Sequence, residues 1–206
     1  IHSAGRPLAY PSADELPNLR ATMNLPQRYL LHLGTLEPRK NIGVLLDAMS
    51  AIPPAIRKTC PLVLAGGLGW GGAEFWRSLA NHPMASEVLW AGFVDDASAA
   101  AMLAGAQAVL SPSFYEGFGL PLLEAMNAGT AVICSTADAF TEVAGPAAHF
   151  VDPTDTAGWS VAICQVIEDA AWRNNLAESG KIRAREFSWD SCAKAHAEVF
   201  EKIGRE

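Results

Sequence analysis

The chain has 206 residues, half of them apolar, and a formal net charge of −7. That is enough for a packed core in one large domain or two small ones, and the acidic balance argues against a general nucleic-acid-binding surface. No apolar run approaches the roughly 20 residues that span a bilayer, and the four cysteines (Cys60, Cys134, Cys164 and Cys192) form no Cys-x-x-Cys pair and no metal-ligand spacing with a histidine, so they read as reduced thiols of a cytosolic protein.

Residues 1–27 are rich in Pro, Ser, Ala and Asn, lack sustained periodicity and read as an irregular entry segment. No signal peptide is visible; because the chain begins at Ile1, a natural N-terminus upstream of it is expected. From Tyr29 onward short apolar runs alternate with amphipathic stretches. Strands are predicted at Tyr29–Leu33, Leu62–Ala65, Val88–Ala91, Ala108–Leu110, Ala131–Cys134 and His149–Val151. Helices are predicted from Asn41, read as an N-cap, to Ile52, over Ala73–Asn81, from Asp95 or Asp96, and over Leu120–Asn127, where Gly129 supplies the stop. After Asp155 the pattern is helical: Thr156–Asp169, Trp172–Arg185 and a last helix capped by Ser188. His32 falls in an apolar strand pattern and reads as a satisfied core residue. The order βαβαβα with fully apolar short strands predicts an α/β domain: a six-stranded parallel sheet, helices on both faces and a helical C-terminal extension. Ligands of such sheets bind beyond the carboxyl ends of the strands, where the Gly-rich loops gather.

Four of those loops carry chemistry. In Leu33-Gly34-Thr35-Leu36-Glu37-Pro38-Arg39-Lys40-Asn41 the strand ends at Gly34, where no Cβ obstructs a ligand. Arg39 and Lys40 then stand before a helix N-terminus, an arrangement that costs energy unless an anion such as phosphate is present. In the next loop Gly67, Gly69 and Gly72 match Gly-x-Gly-x-x-Gly, but they follow the second strand rather than the first and no acid ends the strand after them. They read as a flexible ligand-proximal loop rather than a nicotinamide site. In Gly92-Phe93-Val94-Asp95-Asp96, apolar side chains beside free amides suit a base, although taken alone these residues are better explained by an ordinary strand-to-helix turn capped by Asp95 or Asp96. The last loop holds Glu116 and Glu124 on either side of a helix N-terminus. Gly117 and Gly119 let it turn sharply, Pro121 fixes the helix start, and the exposed amides make a phosphate seat. A carboxylate accepts paired hydrogen bonds from a vicinal diol, so a carboxylate at each side of a phosphate seat suits a nucleotide-sugar.

With these elements in place, the chain from about Tyr29 to Ile203 resembles the C-terminal, donor-binding, Rossmann-like domain of a GT-B glycosyltransferase of the retaining type grouped as family 4. The Glu-x₇-Glu motif from Glu116 to Glu124, within Ser111-Pro112-Ser113-Phe114-Tyr115-Glu116-Gly117-Phe118-Gly119-Leu120-Pro121, carries most of the resemblance, and Leu33–Asn41 and Phe187-Ser188-Trp189 agree with it. The resemblance implies that Glu116 and Lys40 act on the donor at the reacting centre, Glu116 on sugar hydroxyls and Lys40 on the diphosphate. It implies donor-binding roles for Gly34, Thr35, Arg39, Phe93, Val94, Gly117, Phe118, Gly119, Leu120 and Glu124, the last on ribose. It further implies metal-independent transfer without a cofactor. Family members often carry an Arg where this chain has Thr35; Arg39 would replace that charge.

Under the resemblance residues 1–27 would be an interdomain connection, 28–187 the nucleotide-sugar domain, and 188–206 a helix returning to an N-terminal acceptor domain absent from this chain. The implied activity is hexosyl transfer, with mannose from GDP-mannose as the leading donor, to a glycan or lipid-linked acceptor of surface polysaccharide biosynthesis. The implied location is the cytoplasm, with peripheral membrane association through the absent domain. A GT-B-like epimerase or phosphorylase half, and a non-catalytic nucleotide-binding module, are the alternatives.

Overall fold

The computed structural model describes residues 1–204. In chain order the elements are α1 (Leu16–Thr22), β1 (Leu30–Leu33), α2 (Ile42–Ala51), α3 (Pro54–Arg57), β2 (Leu62–Ala65), α4 (Gly72–Ala80), β3 (Leu89–Gly92), α5 (Asp96–Gly105), β4 (Ala108–Ser111), α6 (Leu120–Asn127), β5 (Ala131–Ser135), α7 (Asp138–Ala144), β6 (His149–Val151), α8 (Thr156–Glu168), α9 (Ala170–Ala184) and α10 (Trp189–Ile203). The six strands form one parallel sheet in the order β3-β2-β1-β4-β5-β6. The order reverses direction at β1 and β4, the switch point where doubly wound sheets open a crevice.

Alternation along the strands divides the core into two layers. Leu30, Leu62, Leu64, Leu110 and Ile133 face α2 and α8, where Trp159 is fully buried. Leu31, Val63, Val109, Val132 and Cys134 face α5, α6 and α7. Burying each large aliphatic side chain stabilises the fold by about 1.5–3 kcal/mol, and covering both faces explains why these strands are apolar throughout. β3 is the exception. It is an edge strand, and Leu89 and Trp90 are 41% and 38% exposed. Among the described residues no strand lies beyond it, and Trp90 is shielded in part by the ring of Trp76 at 4.4 Å.

The helix ends follow the expected chemistry in most places. The side chains of Asp95, Asp155, Asp169 and Ser188 each accept from the backbone N–H three residues on, those of Ser98, Gly158, Trp172 and Ser191. Gly129 ends α6 at φ +72°. Asn41 departs from the expectation. It is left-handed (φ 53°) and makes no side-chain cap; its Nδ2 group donates to the carbonyls of Pro112 (3.2 Å) and Pro153 (2.7 Å). Three helices lay outside the sequence reading: α1 inside the segment read as irregular, the single turn α3, and α7. The last expected helix reaches Ile203, and Arg205 and Glu206 fall outside the described residues. No helix among the described residues is long and apolar enough to cross a membrane.

Candidate functional site

Parallel strands place the loops after β1, β2, β3 and β4 along one edge of the sheet, so residues far apart in sequence meet there. A short 3₁₀ turn, Pro38–Lys40, follows β1 and carries both cations. Its backbone is joined to the loop after β4 by Phe114 N–H, which donates to Arg39 O at 2.9 Å. Lys40 is only 8% exposed, and its Nζ donates to Glu116 Oε1 at 2.6 Å. Arg39 Nη1 donates to Glu116 Oε2 at 2.8 Å, and Arg39 Nη2 pairs with Glu37 at 2.6 Å. Ser113 Oγ donates to Glu116 Oε1 at 2.6 Å. Burial alone would push the Glu116 carboxyl up, but the hydrogen bonds of Lys40 and Ser113, with the neighbouring charges, hold it below its usual range. The Arg39 guanidinium is pushed up in turn, chiefly by its hydrogen bond to Glu116. The conflict between two cations and a helix N-terminus is therefore relieved by the protein's own carboxylates.

His32 lies directly beneath this cluster. Its Nδ1 is 2.9 Å from Leu110 O, and a carbonyl can only accept, so the proton sits on Nδ1. Its Nε2 is buried with no partner, so the expectation of a satisfied core histidine holds for one nitrogen only. Burial, the largest cause, pushes its pKa down to about 4. A Cβ added at Gly34 would lie 3.7 Å from both His32 Nε2 and Lys40 Nζ, which places the glycine between them at the mouth of the crevice.

In the loop after β2, Gly66, Gly69 and Gly72 serve close packing, whereas Gly67 has open space around its missing Cβ. A Cβ on Gly66 would come 2.0 Å from Gly34 O, one on Gly69 2.4 Å from Thr35 Cγ2, and one on Gly72 2.8 Å from Leu36 O. The Gly-x-Gly-x-x-Gly stretch packs onto the loop after β1, with Leu36 and Leu68 bridged in parallel. In the loop after β4, Gly119 takes φ +96° and lies against Phe140, so it needs to be glycine. Gly117 has open space around its missing Cβ and no left-handed φ, so only one of the two glycines makes the turn. Phe118 belongs to an aromatic group with His2 and Phe187. Leu120 begins α6 and is 37% exposed.

Two hollows flank this edge. One, of about 250 Å³, is lined by Phe114, Glu116, Thr136, Asp138 and Pro153. The other, of about 480 Å³, is lined by Leu25, Phe93, Val94, Ser98 and Met102, with Phe93 83% exposed. Glu116 and Phe93 thus stand at separate hollows. Glu124 is buried inside α6 at 1% exposure, and Arg6 donates to both of its oxygens, Nε to Oε1 at 2.7 Å and Nη2 to Oε2 at 2.9 Å. Arg6, Ser113 and the free nitrogen of His32 were not singled out from sequence. Ser113 stood in plain view three residues before Glu116, while nothing in the sequence around Arg6 signals its partner 118 positions away.

A family model described as "Glycosyl transferases group 1" matches residues 20–183. The chain belongs to this family. It is 38% identical over 180 residues to the O-antigen chain mannosyltransferase B of Escherichia coli, covering 87% of this chain and 47% of that protein. Among solved structures it superposes on a sucrose-phosphate synthase from Thermosynechococcus elongatus with a TM-score of 0.85 at 28% identity, over 99% of this chain and 52% of the other. The same TM-score at 20% identity relates it to Anabaena HepE, solved in complex with UDP and glucose, over 97% of this chain and 55% of the other. The Rossmann-like fold is thus that of GT-B glycosyltransferases, and the chain spans about half the length of these proteins.

Proposed function

We propose that this chain is the donor-binding half of a retaining glycosyltransferase, which holds a nucleotide-sugar against an N-terminal acceptor domain absent from the chain. The names of the mannosyltransferase relatives support mannose as the sugar; on this reading the donor is GDP-mannose, and a glycan or lipid-linked acceptor completes the reaction. The observation that carries the reading is the Lys40–Glu116–Arg39 cluster at the carboxyl edge of the sheet. Within this cluster the cations and the carboxylate neutralise one another. An incoming diphosphate takes over Lys40 and Arg39, and the amides at the start of α6 complete its seat. Glu116 is then released to accept from sugar hydroxyls. As the bond from the sugar's anomeric carbon to the diphosphate breaks, the electron pair goes to the phosphate oxygen, where the cations stabilise it; the acceptor hydroxyl oxygen bonds to the anomeric carbon on the same face, and its proton passes to the departing phosphate oxygen. Phe93 and Val94 would flank the base, and Glu124 the ribose. HepE's complex with UDP and glucose supports a nucleotide-sugar in this fold. On this reading residues 1–27 are the interdomain connection and α10 returns to the acceptor domain. The full protein works in the cytoplasm, at the membrane where its acceptor is lipid-linked.

Calorimetry with GDP, UDP, ADP and TDP tests the reading. Binding of at least one of them, GDP most tightly, is expected; heat from none of the four would refute it.

A further inference from the structure

Arg6 lies outside the stretch that matches the family, yet it holds Glu124, the carboxylate assigned to the ribose above. Besides its two bonds to Glu124, its Nη1 donates to Asp96 Oδ1 at 2.5 Å, so one guanidinium bridges α6 and the start of α5. The segment around it is pinned on both sides. Tyr10 Oη donates to Glu124 O at 2.9 Å, and Trp189 Nε1 donates to Gly5 O at 3.1 Å. The Arg6 side chain is 43% exposed while that of Glu124 is 1% exposed. The guanidinium therefore occupies both oxygens of a buried carboxylate and is itself the solvent-facing member of the pair. Two parallel N–H donors on the two carboxylate oxygens are also the pattern that a vicinal diol would bring with its two O–H groups.

We propose that Arg6 is an internal occupant of the ribose seat: its guanidinium holds Glu124 in the empty protein and is displaced by the ribose diol when a nucleotide binds. The proposal rests on the ribose role of Glu124. Displacement exchanges a charge-assisted, bidentate pair for hydrogen bonds from neutral hydroxyls, so Arg6 weakens nucleotide binding relative to an open seat. It also makes the diol a condition of entry, since a ligand without it would leave a buried carboxylate unpartnered. Asp96, 70% exposed, keeps the displaced side chain close, so the seat closes again when the nucleotide leaves.

The test uses the chain with GDP and with UDP. In the empty protein the Arg6 Nε–H signal, assigned by its loss in Arg6→Lys, is expected to be slow to exchange with solvent, and to lose that protection at saturating nucleotide. Arg6→Met is expected to bind about three- to tenfold more tightly, the scale of one charge-assisted contact partly repaid by solvent. Asp96→Asn loosens the fork without stranding Glu124, and is expected to shift affinity in the same direction by less; it serves if Arg6→Met does not fold. An Arg6 signal unchanged at saturation, or affinities equal to or weaker than wild type in both variants, overturns the proposal and makes Arg6 a fixed support of Glu124. Absence of binding by the wild-type chain to either nucleotide refutes the nucleotide reading and this proposal with it, an outcome distinct from binding with Arg6 unmoved.

Discussion

Lowering the pH should destabilise this protein through His32, by an amount that follows from its surroundings. The ring is 1% exposed, and burial holds its pKa at about 4, against a value near 6.5 in the unfolded chain. Leu110 O pulls the value back upward and Lys40 lowers it further, while Glu116 acts in the opposite sense to Lys40. Between those two pH values the unfolded chain binds a proton that the folded protein refuses. The unfolded state therefore holds more protons, and stability rises with pH. The contribution is fully present above pH ~6.5 and is lost as pH falls toward about 4. The whole interval is worth about 3 kcal/mol, and the part between pH 6.5 and 5 about 2 kcal/mol, at ~1.4 kcal/mol per unit. His32→Leu removes the titrating group at similar volume. It gives up the bond to Leu110 O but also the unpartnered Nε2, so the two changes roughly cancel at pH 7. Urea unfolding followed by tryptophan fluorescence at pH 7 and pH 5 measures the difference. Carboxylates titrate alike in both proteins, so His32→Leu should gain about 2 kcal/mol relative to wild type on going to pH 5. Parallel pH profiles for the two proteins would refute the argument.

Lys40→Ala should weaken a nucleoside diphosphate by about ten- to a hundredfold, the range of a charge-assisted hydrogen bond, with little effect on the nucleoside; calorimetry showing equal losses would make Lys40 purely structural. Glu124→Ala should weaken ribonucleotides more than their 2′-deoxy counterparts, and an identical penalty for both would remove Glu124 from the ribose. Gly66→Ala should cost about 3 kcal/mol or more in thermal or urea unfolding, because its Cβ would lie 2.0 Å from Gly34 O and its φ is +143°. A melting temperature within a degree of wild type would mean that the two loops can separate freely.

What was legible in the sequence was local. Strands such as Leu62–Ala65 and Ala131–Ser135 announce themselves because burial on both faces demands continuous apolar residues, and caps such as Ser188 because the oxygen and its N–H partner are three residues apart. Parallel pairing then brings Lys40 and Glu116 to one edge without further information, and they do meet there. What was hidden depends on contacts across the fold. Arg6 and Glu124 are joined only once the entry segment lies along α6. The unpartnered nitrogen of His32 depends on what the turn at Pro38–Lys40 leaves above it. Leu89 and Trp90 have the composition of a central strand, and only the strand order puts them at an edge. Gly67, Gly69 and Gly72 look like a ligand loop in sequence, yet Gly69 and Gly72 pack closely on the loop after β1, because the same lack of a Cβ serves close approach to a phosphate or to another loop.

Asn41 joins these levels. Its amide spans the loops after β4 and β6 while its own backbone turns the chain from the cation-bearing 3₁₀ turn into α2. Of the common residues, few tolerate a left-handed backbone, and of those only asparagine brings two N–H donors on one short stem. Glycine would keep the turn and lose both ties; aspartate would set a carboxylate against two carbonyls. The three loops are therefore not independently exchangeable parts. A loop grafted here from a relative would keep its conformation only if the Asn41 stitch, and the carbonyls of Pro112 and Pro153 that it holds, are transplanted as a set.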